Sequence, residues 1–381
     1  MNRRWPAARW AWRVAALVCA IAWGLGWPAA GTGGPVAPTD GWLVASGVTP
    51  DALAENSQQK LAVHRGRILL TYTRPVAGAP QVYLATSADG GRSWQHTPVS
   101  HPPAPSRLAS LAMTPDGSVH VVWTRYAPVG EVRYRTFRAG RWSDETRLSS
   151  PGVYAGVPVV ARAAASLHVL WYGIRPETPT VPTRHGSVYE ILATRQRAAR
   201  WTTPEVISPG VPDSINPSMD AIGRRRLHAA WMQFDGRHYQ VRHAAFRDDG
   251  WSAPQWLTAG SLERTGVALA AGASDVHLVW EEGPPASRIA YATLSGRASR
   301  ILSGRPPAHH PVIAAAGMVA VAAWDEDRQI RLRVVQPLGP VRIIGQGARP
   351  MVATDGATAY VAWTRTAGTT TELRLAAVRV R

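Results

Sequence analysis

Hydrophobic and polar positions alternate in short segments along this chain of 381 residues, and they do not form long helical stripes. An apolar segment, a short turn and a second apolar segment that ends in an aromatic residue recur throughout. The second segments are RILLTY, SVHVVW, SLHVLW, RLHAAW, DVHLVW, VAVAAW and TAYVAW, ending at Tyr72, Trp123, Trp171, Trp231, Trp280, Trp324 and Trp363. Such alternation, rich in β-branched and aromatic residues, predicts β-strands.

The repeat has a period of 39 to 60 residues between successive aromatic strand ends. Further strand-like segments follow each second strand, among them VYLATS, VRYRTF, RIAYATL and LRLAAV. Seven four-stranded units at this period predict an all-β protein, a single β-propeller with seven blades, six being the alternative. Packing each blade between two neighbours buries both of its faces, and closing the ring protects the strand edges.

The two ends of the predicted propeller complement each other. The last repeat stops after its third strand, in LRLAAVRVR, while the early segment GWLVASG resembles the fourth-strand segment QWLTAG of a later repeat. We therefore predict that residues 42–46 form the outer strand of the last blade, so that the propeller domain covers residues 41–381.

The first 40 residues predict export from the cytoplasm. Residues 1–13 are basic, residues 14–27 are apolar, and small residues follow. This order is typical of a signal peptide over residues 1–30, with an uncleaved membrane anchor as the alternative and residues 31–40 as a flexible stem. The predicted location is secreted or cell envelope, and any membrane contact is expected only through an uncleaved N-terminal segment. The only cysteine, Cys19, lies in this segment, so we expect no disulfide in the mature chain.

The net charge of +17 comes almost entirely from arginine, because Lys60 is the only lysine. Either the genome favours arginine codons or the protein has an anionic partner, which the planar guanidinium binds well. The sequence contains no basic helical run or recognition-helix pattern, so we do not expect nucleic acid to be the partner.

The turn SADGGRSW matches the Asp-box pattern S-x-D-x-G-x-x-W at Ser87, Asp89, Gly91 and Trp94. It resembles the bacterial neuraminidase (BNR) repeats of sialidase-like propellers. The resemblance implies that the turn joins the third and fourth strands, on the face opposite the active site. Its expected role is structural, because the carboxylate accepts backbone N–H groups, glycine permits a positive φ, and tryptophan covers the seam between blades.

The same resemblance places a functional site on the loops after each second strand and before each first strand. Arg74, Arg125 and Arg365 hold equivalent positions in three neighbouring blades, so we predict that they bind an anionic glycan. Acidic residues follow two other strands. Further polar residues precede the first strands, and these are Gln59, Arg107, Asn216, Arg264, His309, His310 and Arg349. The longest insertion, residues 172–187, is a candidate lid.

Catalysis is a second possibility. Sialidases use an arginine triad, a tyrosine nucleophile activated by a glutamate, and an acid/base aspartate. Positions in this chain that correspond only by location are Tyr126, Tyr172, Glu281, Glu282 and Asp325. The chain has no Phe-Arg-Ile-Pro-like motif, and sialidase catalytic domains have six blades.

Two functions therefore stay open. The first is a secreted or cell-surface propeller that binds an acidic glycan or an extracellular protein. The alternative is an extracellular glycoside hydrolase of the sialidase-like type or a polysaccharide lyase. No histidine pair has metal-ligand spacing, so neither a metal ion nor another cofactor is predicted.

Overall fold

The computed structural model describes residues 40–163, 166–175, 188–198, 200–208, 213–223, 226–283, 286–296 and 298–380. These residues form strands and turns and no helix. The strands make seven antiparallel sheets. This confirms the predicted seven-bladed, all-β propeller. The predicted signal peptide and stem, residues 1–39, and most of the predicted lid, residues 176–187, lie outside the described part of the chain.

Each blade is named here in chain order, and its strands run from the inner strand at the central axis to the outer strand at the rim. Blade 1 consists of Leu61–His64, Arg67–Val76, Ala79–Ser87 and Gln95–Pro98, and blade 2 consists of Ser106–Met113, Val119–Tyr126, Gly130–Arg138, Arg141–Trp142 and Thr146–Arg147. Blade 3 consists of Ala155–Ala163, Ser166–Gly173, Glu190–Arg197, Arg200–Trp201 and Glu205–Val206, and blade 4 consists of Ser214–Ile222, Arg226–Phe234, Tyr239–Arg247, Gly250–Trp251 and Gln255–Trp256. Blade 5 consists of Glu263–Ala271, Val276–Gly283, Arg288–Thr293 and Arg300–Ile301, and blade 6 consists of Ala308–Ala316, Val319–Glu326, Gln329–Gln336 and Leu338–Gln346. Blade 7 consists of Ala348–Thr354, Thr358–Ala367, Thr370–Arg379 and Trp42–Ser46.

The ring is closed by the first strand of the described chain. Trp42–Ser46 pairs antiparallel with Thr370–Arg379, with Trp42 opposite Leu375 and Ser46 opposite Glu372. The closing strand predicted from GWLVASG is therefore confirmed. The pairing joins the two ends of the propeller by main-chain hydrogen bonds, and it gives the third strand of blade 7 a partner along its outer edge.

The repeated aromatic residues are the centres of the interfaces between blades. Trp123, for example, is fully buried with Leu69, Val82 and Leu84 of blade 1. Trp171 likewise packs against residues of blade 2. Because the strand alternates, the tryptophan faces the preceding blade and the next residue faces the other way. This alternation decides where polar residues near the strand ends point.

Six of the seven inner strands contain the same irregularity close to their start. The pairing with the second strand shifts register there, and one residue adopts a left-handed conformation. These residues, with φ between 50° and 59°, are Leu108, Val157, Asn216, Gly266, His310 and Arg349. Such β-bulges turn the strand away from regular pairing and expose backbone groups near the axis.

A short segment, residues 55–60, forms a hub across the central axis. The side-chain amide of Asn56 donates to the carbonyls of Gly266 and Pro311, both at 2.6 Å. The side-chain amide of Gln58 donates to the carbonyls of Leu108 and Pro158, at 2.7 and 2.6 Å. The hub therefore ties together the bulges of four blades.

The two faces of the ring differ in the loops they carry. We call the face with the bulges and the turns between second and third strands the upper face. The lower face carries the turns between first and second strands and the turn that contains SADGGRSW. Within the described residues, the structure contains no helix that is long and apolar enough to cross a membrane.

Candidate functional site

The three arginines predicted to bind a ligand lie along their own blades. Nη1 of Arg125 is 3.0 Å from Oε1 of Glu145, near the rim of blade 2. The guanidinium of Arg74 lies 5.4 Å from the ring centre of Tyr83, on the neighbouring strand of blade 1. Both side chains therefore contact groups on the rim side of the strand that carries them.

Arg365 is also paired within blade 7. Its Nη1 is 3.0 Å from Oδ2 of Asp40, and its Nε is 3.9 Å from Oε2 of Glu372. The structure thus gives each of the three arginines contacts of its own and shows no group that all three share. Their joint role in ligand binding stays a prediction.

Of the acidic candidates, Glu282 points toward the rim. It accepts a hydrogen bond from Nε of Arg264 at 3.0 Å, and Nη2 of Arg288 lies 3.6 Å from its other oxygen. Its carboxylate is therefore used in ion pairs within blade 5. The preceding residue, Glu281, faces the opposite side of the strand.

Glu281 and Asp325 each hold a histidine of the upper face. Oε2 of Glu281 lies 3.1 Å from Nδ1 of His309, and Oδ1 of Asp325 lies 3.0 Å from Nδ1 of His310. The two imidazole ring centres are 6.1 Å apart. We call these four side chains the histidine–carboxylate pairs.

The carboxylates set the orientation of both rings. An ionised carboxylate only accepts hydrogen bonds, so each Nδ1 must carry the proton and each neutral ring leaves Nε2 as an acceptor. The side chain of His309 is 45% exposed and that of His310 is 32% exposed, whereas the two carboxylates are nearly buried. Buried carboxylates that orient accessible imidazoles form an arrangement suited to proton transfer.

Both carboxylates also bind the bulge of the next blade. Oε1 of Glu281 accepts the backbone N–H of His310 at 2.8 Å, and Oδ2 of Asp325 accepts that of Arg349 at 3.4 Å. In the other blades the residue directly after the strand-ending aromatic residue is uncharged. Thr124 accepts the N–H of Val157 at 3.1 Å.

This contact explains why the residue directly after the strand-ending tryptophan is polar in several repeats. A residue that faces the next blade meets the free N–H of a bulge there. The sequence marks the bulge in blades 3, 4, 6 and 7, because a proline directly follows the bulge residue in each of them. The meaning of this proline depends on a contact between blades, so sequence alone did not reveal it.

A wide cleft lies beside the histidine–carboxylate pairs, between blades 6 and 7 of the upper face. It has a volume of about 1270 Å³. Its lining brings together three residues singled out in the sequence, His309, Asp325 and Arg365. The other charged residues of its wall are Asp40, Glu326, Asp327 and Arg328. Four carboxylates against two guanidinium groups give the wall an acidic excess.

The tyrosine candidates belong to a separate cluster on blades 2 and 3. The hydroxyls of Tyr154 and Tyr172 are 3.4 Å apart, and Tyr126 interacts with Tyr154. The ring of Tyr189 packs edge-on against Tyr172, with 5.3 Å between centres. Sequence reasoning missed Tyr154, which directly precedes the inner strand of blade 3, and Tyr189, which lies in the loop before the third strand of that blade.

Burial raises the pKa of these phenols. The pKa of Tyr172 rises to about 12, mainly because the side chain is withdrawn from water, with a further upward contribution from nearby Glu55. The pKa of Tyr126 rises as well, through burial and its contact with Tyr154. Phenols held in this way are neutral hydrogen-bonding and stacking groups at neutral pH.

The SADGGRSW turn lies between the third and outer strands of blade 1, at the lower face. Oδ1 of Asp89 accepts the backbone N–H groups of Arg92 and Ser93 at 3.1 and 3.0 Å. Oγ of Ser87 accepts the N–H of Gly91 at 2.9 Å, and the indole N–H of Trp94 donates to the carbonyl of Gly91 at 3.0 Å.

Gly91 also brings the turn against the closing blade. Its φ is 99°, and a Cβ at this position would lie 2.9 Å from Leu375 and 3.3 Å from Trp42. Trp94 is half-buried against the same cluster. The turn therefore contacts the seam where blade 1 meets blade 7. Its assignment to the BNR repeats stays a prediction.

Within the residues that the structure describes, no three His, Cys, Asp or Glu side chains are grouped so as to hold a metal ion. Neither protein-family models nor curated proteins gave a match to this chain.

Solved structures do match. One is a polysaccharide lyase, a PL25 ulvan lyase bound to -[GlcA(1-4)Rha3S]-, with a TM-score of 0.57, 10% identity, and coverage of 89% of this chain and 95% of that chain. Another is the α-L-arabinofuranosidase Arb93a from Fusarium graminearum, with a TM-score of 0.53, 11% identity, and coverage of 89% and 98%. A Hadza microbial sialidase has a TM-score of 0.49, 11% identity, and coverage of 82% of this chain and 74% of that chain. The similarity shows a fold shared with enzymes that are named for action on glycans.

Proposed function

We propose that this protein binds a glycan in the upper-face cleft between blades 6 and 7. The observation that carries the proposal is the lining of the cleft, which combines hydrogen-bond acceptors and donors over a volume of about 1270 Å³. Asp325 accepts hydrogen bonds, whereas Arg365 and Gln346 donate them. Sugar hydroxyls both donate and accept, so a wall of this mixed kind suits them.

Two further observations support a glycan ligand. Two of the matched enzymes with TM-scores above 0.5 are named for action on ulvan and on arabinofuranosides. The order of charged, apolar and small residues over residues 1–30 is typical of export, which would place the cleft where polysaccharides are found.

The charge of the ligand follows from the cleft wall. The prediction of an acidic glycan depends on Arg74, Arg125 and Arg365. Of these, Arg365 lines the cleft, and its charge is offset by Asp40 and Glu372. With four carboxylates and two guanidinium groups in the wall, the cleft favours an uncharged glycan over an acidic one. An extracellular protein partner stays the other sequence-based prediction.

Cleavage of the glycan is the second candidate function, and the histidine–carboxylate pairs favour it. Nε2 of His309 is positioned to take a proton, while the second imidazole, once protonated, can donate one to a leaving oxygen. The ring centres are 6.1 Å apart. That separation falls between the roughly 5 to 5.5 Å that separates the two carboxyl groups of retaining glycosidases and the roughly 6.5 to 9.5 Å of inverting ones. The spacing therefore selects neither hydrolytic mechanism, and the proposed cleavage depends on the two imidazoles as proton acceptor and donor.

A sialidase-type tyrosine nucleophile is supported less well. Tyr126 and Tyr172 would have to lose a proton against pKa values that burial raises. They belong to blades 2 and 3, away from the histidine–carboxylate pairs of blades 5 and 6. We therefore assign the tyrosines to hydrogen bonding and stacking within their own cluster on blades 2 and 3.

The test uses the purified full-length chain against arabinan, a neutral polysaccharide, and against ulvan and polygalacturonate, which are acidic. Affinity electrophoresis measures binding, and ultraviolet absorbance and reducing-end assays distinguish elimination from hydrolysis. We expect His309→Ala to weaken binding roughly tenfold, about 1.4 kcal/mol.

The matched control is His64→Ala, an exposed histidine at a lower-face turn of blade 1. It should bind like the wild type. Equal binding by wild type and His309→Ala, or no binding to any polysaccharide, would contradict the proposed cleft.

A further inference from the structure

The central channel below the hub is a second cavity, separate from the upper-face cleft. It has a volume of about 360 Å³, within the range of pockets for small molecules. Its walls are the inner strands, and most of the residues they contribute are small and apolar, such as Ala112, Ala161, Ala270 and Ala314. Residues 56–60 of the hub close its upper end.

The only lysine of the chain lies at this closed end. The side chain of Lys60 is 2% exposed. Its ammonium donates to the backbone carbonyl of Glu55 at 3.1 Å and to Oε1 of Gln58 at 2.6 Å. An ammonium has three N–H groups, so one has no acceptor among the described residues. No carboxylate forms an ion pair with it in that part of the chain.

Ser57 provides a second polar group with unused bonding capacity. The residue is 4% exposed and lines the same end of the channel. Its hydroxyl has no hydrogen-bond partner in the described structure. A buried hydroxyl without a partner destabilises the folded protein, and a bound acceptor would remove that cost.

We propose that the closed end of the central channel binds a small carboxylate that carries an apolar body. The carboxylate would accept hydrogen bonds from Nζ of Lys60 and Oγ of Ser57. The hydrocarbon part would then lie against the alanine-rich walls and leave water. This inference does not depend on the proposed glycan function, because the channel and the cleft share no lining residue.

The charge state of the lysine supports the same assignment. Burial lowers the pKa of Lys60 to about 7, and the attraction of Glu55 only partly offsets it. The other charged side chains of the channel are Arg162 and Asp220. Asp220 accepts the N–H groups of Ala221 and Ala271, and burial raises its pKa.

A carboxylate beside the amine would favour its charged form and so raise the pKa of Lys60. Binding is therefore strongest below about pH 7, at values still high enough to keep the ligand's own carboxylate ionised. It weakens as the pH rises above that value, because the free amine then loses its proton before the ligand binds.

Because the chain contains one lysine, isotopic labelling reports on this site alone. Protein made with ε-carbon-labelled lysine gives a single side-chain NMR signal, whose pH titration yields the pKa directly. We expect hexanoate to shift this signal saturably and to raise the pKa by about one unit, a roughly tenfold preference for the charged amine. Hexanamide, which has the same shape and no charge, should leave the titration unchanged.

A serine variant tests the proposed contact between the ligand and Oγ of Ser57, and it leaves the amine of Lys60 in place. Ser57→Ala should weaken hexanoate binding several-fold. Ser214→Ala is the matched control, because Ser214 is another buried serine whose hydroxyl has no partner in the described structure and it does not line the channel. Three results would each overturn the proposal. They are a lysine signal that hexanoate leaves unchanged, an equal response to hexanamide, and unchanged hexanoate binding in Ser57→Ala.

Discussion

Oε1 of Glu281 accepts the backbone N–H of His310 at 2.8 Å, so a side chain at a strand end of blade 5 fixes the bulge of blade 6. Its other oxygen lies 3.1 Å from Nδ1 of His309. One carboxylate thus holds the architecture and orients an accessible imidazole. Loss of function on mutating such a residue can come from either role, and the two must be separated by choice of variant.

The variant Glu281→Gln separates the role of this carboxylate in fixing the bulge from its role in orienting His309. The amide oxygen of glutamine can still accept the N–H of His310, whereas the amide nitrogen would donate to Nδ1 of His309 and force its proton to Nε2. We expect stability within about 1 kcal/mol of the wild type and glycan binding weakened by no more than in His309→Ala. Nitrogen NMR of the imidazole should show the changed tautomer.

Glu281→Ala removes both interactions and leaves a backbone N–H unpaired. It should lower the free energy of unfolding by about 1 to 3 kcal/mol in a denaturant titration. Equal stability of the alanine and wild-type proteins would mean that the bulge does not need this carboxylate.

The hub predicts a second stability effect. Asn56 donates to two carbonyls of neighbouring blades, and Asn56→Asp would bring a negative charge against both acceptors. We expect Asn56→Asp to be less stable than Asn56→Ala, which itself should lose about 1 to 3 kcal/mol. Gln255→Ala, at an exposed rim position, is the control and should unfold like the wild type.

The SADGGRSW turn should affect stability and leave glycan binding unchanged. Burial slightly raises the pKa of Asp89, but hydrogen bonds from Ser93, Ser87 and Arg92 outweigh this and lower it to about 2. A depressed folded-state pKa means that the stabilisation is present above about pH 4 and is lost as the pH falls toward 2. Asp89→Ala should therefore lower the melting temperature at pH 7 and matter little near pH 2. Loss of glycan affinity without loss of stability would contradict the structural role.

The buried histidines predict that the folded propeller loses stability in mild acid. Burial lowers the pKa of His168 from 6.5 to about 4, and Arg195 lowers it further while Asp249 opposes the shift. The unfolded chain therefore takes up a proton first, and stability falls as the pH drops from 6.5 toward 4. His168→Phe keeps an aromatic ring against Phe246. It should reduce the acid-induced loss of unfolding free energy by up to roughly 3 kcal/mol at pH 4. His101→Gln, an exposed position, should leave it unchanged.

The architecture was predictable from sequence because each blade repeats the same local pattern. The strand ends from Tyr72 to Trp363 marked seven repeats, and the similarity of GWLVASG to a fourth strand predicted the closing pair. These features depend on alternation and turn residues, which neighbouring positions determine.

The candidate site was predictable only in part. Both carboxylates of the histidine–carboxylate pairs were recognised by position, but their contacts with His309 and His310 depend on how adjacent blades meet. The outward direction of Arg125 follows from Glu145, which stands twenty residues away near the rim. The hub residues gave no repeat signal, because they occur once and their partners are backbone carbonyls of other blades.

The location of a bound glycan tests the central claim most directly. A crystal structure of the full-length chain with an oligosaccharide of the tightest-binding polysaccharide would locate it. We expect sugar in the cleft between blades 6 and 7, with hydroxyls within hydrogen-bond distance of His309, Asp325 and Arg365. Sugar bound at the lower face, at the rim, or only beside the tyrosine cluster would contradict the account.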